Sequence, residues 1–119
     1  MERVRFIQYG GKDILLVDFS DCKPDEAHLI IDKAKALICT RPEQSLLTLT
    51  DVTNFRFDEK ISDRMKEYAA HNKPFVKAAA VVGIAGLKKI MFQAVMVFSK
   101  RKLHAFDTVD QAKTWLVTM

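Results

Sequence analysis

The sequence predicts an α/β fold: a mixed, mostly parallel central sheet of about five strands, opened by an antiparallel hairpin and covered by four helices. Three observations carry this. Two runs rich in β-branched and aromatic residues, Val4–Tyr9 and Ile14–Phe19, flank Gly10-Gly11, and paired glycines supply the positive φ that a tight hairpin turn requires. Single strands and single helices then alternate, the pattern of parallel strands joined by helical crossovers. Val76–Val82 reads as an apolar run, as expected of an interior parallel strand covered on both faces.

The elements follow in order. Ser20-Asp21-Cys22-Lys23-Pro24 starts a first helix, with proline near its first position and polar residues placed to cap it. Ala27, Ile30, Ile31, Ala34, Leu37 and Ile38 recur at helical spacing, and Arg41-Pro42 ends the helix. Leu46–Leu49 is a short strand, followed by Asn54–Phe57, a loop with two aromatics. Asp58 caps a second helix whose buried stripe is Ile61, Met65, Tyr68 and Ala69. Asn72-Lys73-Pro74 stops it. After the interior strand, Gly83-Ile84-Ala85-Gly86 turns into a helix opening on Lys88 and Lys89. Leu103–Phe106 forms a last short strand, and Thr108-Val109-Asp110-Gln111 fits a capping box at the start of a terminal helix holding Ala112, Trp115 and Leu116.

Composition bounds the function classes. At 119 residues the chain reads as one domain, 1–119, large enough for a core without staples. Nineteen basic against fifteen acidic residues give +4, which permits contact with anions without calling for nucleic acid. No apolar run approaches the roughly 20 residues that span a bilayer, and the N-terminus lacks a signal-peptide core. A cytoplasmic protein with no stable membrane insertion is expected. Cys22 and Cys39 fall near opposite ends of the first helix, roughly 25 Å apart at about 1.5 Å per residue. A disulfide needs Cα atoms within about 7 Å, so no internal bridge is expected.

The strand end LLVDFSD, the segments LLTLTDVTNF and VVGIAGLKK, and the closing HAFDTVDQAKTWL together resemble the STAS family, in particular its small bacterial SpoIIAA-like (STAS/CRAL-TRIO-like) branch. The resemblance covers nearly the whole chain. It implies a non-enzymatic regulatory module that works by protein contact. Antagonist domains of that family carry a phosphorylatable serine after an aspartate at the start of the second helix. The matching stretch here is Phe57-Asp58-Glu59-Lys60-Ile61, without a hydroxyl, and Ser62 lies a turn further on. A serine-phosphorylation switch of that type is therefore not expected.

Chemistry concentrates in two places. In open α/β sheets ligands sit beyond the carboxyl ends of the strands, which here gather Asp18, Ser20, Asp51, Thr53, Gly83–Gly86 and Asp107. Gly83 and Gly86 would let backbone N–H groups approach an anion at a helix N-terminus. Lys88 and Lys89 oppose the helix dipole there by about 0.3–1 kcal/mol each, which suggests a compensating anion such as a nucleotide phosphate. The aspartates have local uses as caps and turn residues, and His28, His71 and His104 are scattered, so no metal set emerges. Neither a nucleophile elbow nor a Cys/His arrangement is present, so no catalytic residues and no cofactor are assigned.

The second place is the third helix. At about 100° per residue, Leu87, Ile90, Met91, Ala94, Val95 and Phe98 share a face expected to pack on the sheet, leaving Phe92 and Met96 outward beside the lysines. That outer face is the expected interaction surface, for a partner protein or for self-association as a homodimer. The alternative is a lipid or apolar small-molecule carrier using the same surface.

Overall fold

In the computed structural model, which describes residues 2–119, Gly10 and Gly11 close an antiparallel pair between β1 (Val4–Tyr9) and β2 (Lys12–Asp18). Their φ angles, +56° and +77°, are those of a two-residue hairpin turn with both central residues left-handed. The chain continues through α1 (Pro24–Ile38), β3 (Leu46–Asp51), α2 (Glu59–Asn72), β4 (Val76–Val82), α3 (Lys88–Ser99), β5 (His104–Phe106) and α4 (Val109–Leu116). The sheet order is β1-β2-β3-β4-β5, and every pair after the hairpin is parallel. The expected mixed α/β sheet with four helices is thus the observed one.

Spatial order equal to chain order has a consequence for the layers. Three successive right-handed crossovers stepping in one direction put α1, α2 and α3 on the same face. Their buried side chains (Ala27, Ile31, Ile61, Met65, Met91, Val95) merge with Leu15, Val17, Val76 and Val81 into the larger core. Among the described residues, only α4 covers the other face, where Ala112 and Leu116 meet Ile14, Leu47, Leu49, Ala80 and Val82. β4 therefore alternates between two buried environments, which accounts for its apolar composition.

The caps show how local chemistry sets the boundaries. Asp58 Oδ1 accepts from Ile61 N at 2.8 Å, and Thr108 Oγ1 accepts from Gln111 N at 3.1 Å. The Gln111 side chain accepts from Asp107 N, one residue before the cap, so the expected capping box is displaced by a residue. At α1 the expectation of a polar side-chain cap fails. The cap position is Lys23, whose ammonium has no acceptor for the first-turn N–H groups, and Glu26 Oε1 instead takes the Lys23 N–H at 3.4 Å. Asp58→Ala is expected to cost about 1 kcal/mol in urea denaturation, because it orphans a donor at the start of α2.

Both cysteines are free, as the helix length requires: Cys22 is buried and Cys39 exposed. Burial pushes the Cys22 thiol above its ordinary value, opposite to the direction that would make it a reactive thiolate.

Candidate functional site

The carboxyl edge of the sheet is closed by the chain itself. Asp18 Oδ1 accepts from Ser20 N at 2.8 Å and Asp51 Oδ1 from Thr53 N at 2.9 Å. Ladder-like bonds continue past the strand ends, from Phe19 N to Asp51 O, Asp21 N to Thr53 O and Val52 N to Val82 O. Gly83 (φ +94°) packs directly on the Thr53 backbone, whereas Gly86 (φ +59°) faces open space. The aspartates thus have the local turn and cap duties that their residue type favours.

The helix-terminus anion site is not preformed. The N–H groups of Lys88, Lys89 and Ile90 close onto the carbonyls of Ala85, Gly86 and Leu87 at 3.1–3.2 Å. The first-turn donors that an anion would need are therefore engaged. Lys88 Nζ donates to the Val52 carbonyl at 2.8 Å, so that cation meets a strand-end carbonyl oxygen. Lys89 lies apart from it, in a surface groove of about 410 Å³ with Phe92, Met96 and Asp107. The acid in that groove works against an anion there.

The apolar faces of α3 are rotated from the expected arrangement. Met91, Val95 and Ser99 form the buried stripe, and Phe92 packs partly buried against the same core. Leu87, Ile90 and Phe98, expected inside, are 74%, 68% and 56% exposed, and Val97 is 80% exposed. Phe92 and Met96 are half-buried on the flank toward β5 rather than at the centre of the outer face. Phe92→Asp would consequently strike the core and is a poor probe of surface contact. The helix carries apolar residues around most of its circumference, so periodicity placed the stripe about a quarter turn from where the neighbouring α2 makes it lie.

A site that the sequence reading did not anticipate lies between the sheet and the α2–α3 pair. A half-open recess with a cavity volume of about 60 Å³ is lined by Thr48 and Thr50 from β3, Tyr68 and Asn72 from α2, and Arg101 just after α3. Met65, Met91, Phe92 and Val95 form its apolar wall, and Ala79 of β4 contributes a side chain too short to fill it. Thr48 and Thr50 occupy successive same-face positions of β3, on the side of the larger core. Arg101 is partly buried and donates through Nη1 to the Ala69 carbonyl at 3.2 Å. None of the ion pairs among the described residues involves it. Burial lowers its pKa, and burial pushes the Tyr68 phenol up to about 12, with Asn72 and the Arg101 charge pulling the phenol the other way. The sequence signals were faint: two threonines alternating with leucines in an interior strand, and an arginine inside the Lys100-Arg101-Lys102 cluster, where the helix dipole already explained positive charge.

The three histidines stay apart. His28 Nδ1 meets Arg64, His71 Nδ1 meets Asn72, and the His104 ring lies against Trp115. No helix among the described residues is long and apolar enough to cross a membrane. Comparisons of the chain with protein-family models, with curated proteins and with solved structures found no match.

Proposed function

We propose that the chain is a non-enzymatic, STAS-like regulatory module that works by protein contact through the outward face of α3. The observation that carries this reading is the exposed row Leu87, Ile90, Val97 and Phe98. With Ala94 between them, Leu87, Ile90, Ala94 and Val97 are spaced by three, four and three residues, the spacing of a seam that packs against another helix. A contiguous apolar row on a small domain marks an interaction surface, because nothing in the monomer offsets the cost of hydrating it.

Charge selects the kind of partner. α3 contains no acidic residue, and its seam is bordered by Lys89 at one end and Lys100 at the other. Two copies packed antiparallel along this seam would bring lysine against lysine, so a partner helix with an apolar seam and an acidic rim fits better than a second copy. The recess beneath α2 and α3, at about 60 Å³, is too small to enclose a long lipid tail, which favours protein contact over a lipid carrier.

The test places a photo-crosslinking residue at Val97, and separately at the exposed Leu29 on α1, in protein expressed in its native cell. A discrete adduct from Val97 alone is expected, lost in Ile90→Asp, while purified protein stays monomeric in sedimentation. A homodimer through Val97, or adducts identical from both positions, would reject the acidic-partner reading. Unfolding of Ile90→Asp by circular dichroism would place the row in the core and reject it as well.

A further inference from the structure

We infer that the half-open cavity between the sheet and the α2–α3 pair is a binding site for a short-chain monocarboxylate, held by Arg101, Tyr68 and Asn72, with its tail among Met91, Phe92 and Val95. This site is independent of the α3 seam.

The first argument is an unbalanced charge. A guanidinium has five N–H donors, and the hydrogen bond that the side chain of Arg101 makes among the described residues is one, to Ala69 O. A partly buried cation without a carboxylate is costly, and nothing in the packing of Ala69 requires an arginine rather than an apolar residue. Dipole attraction at the end of α3 accounts for the exposed Lys100. It does not account for a guanidinium turned beneath α2.

The second argument is what surrounds it. Tyr68 is buried and its phenol is held protonated, so it is available as a donor to an anion at any ordinary pH. Asn72 brings an amide, and Thr48 and Thr50 bring hydroxyls along the cavity floor. A planar carboxylate matches the flat fork of Arg101, and the remaining wall is apolar and partly methionine, which adapts to small changes of shape. At about 60 Å³ the recess has room for a short tail and not for a long one.

The third argument is the approach. Arg101 and Ala79 also line an outer cleft of about 240 Å³, whose other cations are Lys73, Lys77, Lys100 and Lys102 and whose lining includes no carboxylate. Lys77 is occupied, donating to Met119 O at 2.7 Å. The others come from the end of α2 and from the segment after α3, and line the same cleft as the arginine. A cleft of one sign raises the local concentration of anions at its inner end.

The experiment is an NMR titration of methyl- and nitrogen-labelled protein with acetate, butyrate, octanoate and inorganic phosphate, each at constant ionic strength. Butyrate is expected to bind with a dissociation constant of order 1 mM, shifting the Met65, Met91 and Ala79 methyls and the Arg101 side chain. Acetate should bind more weakly, and octanoate should fail to enter. Arg101→Gln should weaken butyrate at least tenfold, and Arg101→Lys by an intermediate factor, since it keeps the charge and loses the fork. Lys102→Gln should change affinity only a few-fold and make it less salt-dependent. Ala79→Leu should fill the cavity and abolish the methyl shifts, with its fold checked by circular dichroism. Equal affinity for phosphate and butyrate with shifts confined to the lysine cleft would mean surface adsorption and overturn the proposal. Unchanged butyrate affinity in Arg101→Gln, or no saturable methyl shift, would overturn it too.

Discussion

Gly83→Ala is expected to lower unfolding stability by about 3–5 kcal/mol, the steepest loss among the glycine-to-alanine changes. Gly83 leaves β4 with φ +94°, where an L side chain is strained by itself. The added Cβ would stand 2.5 Å from both Thr53 N and Thr53 Oγ1 and 2.7 Å from Thr53 Cα, so the clash is largely with backbone. That backbone cannot retreat freely. Thr53 N is held by Asp51 Oδ1 at 2.9 Å, Thr53 O by Asp21 N at 2.9 Å, and the preceding Val52 N by Val82 O at 2.8 Å. Gly86→Ala is the matched control, since it shares a positive φ of +59° but meets no atom within 4 Å. Its cost should be about 1–2 kcal/mol, the left-handed penalty alone. Urea denaturation of both variants, with the denaturant slope compared to confirm a common unfolded state, separates the terms. Equal losses would show that the loop moves aside and that Thr53 is not held as described.

The glycine turn illustrates what a sequence can and cannot disclose. That Gly83 and Gly86 mark a change of direction is a local property of residues lacking Cβ, and it was legible. Whether the turn offers its N–H groups to a ligand depends on the carbonyls of Ala85, Gly86 and Leu87 folding under it, which residue type does not specify. α3 makes the same point through packing. Its periodic pattern admits more than one buried stripe, and the choice between Met91–Val95–Ser99 and a stripe centred on Leu87 is made by α2, an element from another part of the chain. The strands and the Asp58 and Thr108 caps were readable because each follows from short-range spacing. The cavity was not, because Thr48, Tyr68, Asn72 and Arg101 meet only once β3, α2 and the end of α3 are superposed.

The two surfaces of α3 are joined by one rigid element. Met91, Phe92 and Val95 face the cavity while Ile90 and Val97 face outward.

Between pH 10 and 12 the wild-type protein is expected to lose about 2 kcal/mol more stability than Tyr68→Phe. The sign follows from proton counts. In the folded chain burial raises the Tyr68 phenol to about 12, while in the unfolded chain it titrates near 10.0. Across that interval the folded state retains a proton that the unfolded state has released, so stability falls as pH rises. Below pH 10 both states are protonated and the contribution is fully present; above about 12 it is gone. The difference between the two proteins isolates Tyr68 from the lysines that titrate in the same range. Arg101→Gln provides an internal check, because the guanidinium pulls the phenol down and its removal should extend the falling limb to higher pH. Urea melts followed by circular dichroism at half-unit steps from pH 9 to 12 would measure this. Parallel profiles for wild type and Tyr68→Phe would mean that water reaches the phenol, and that the cavity wall around it is open rather than closed by Asn72 and Arg101.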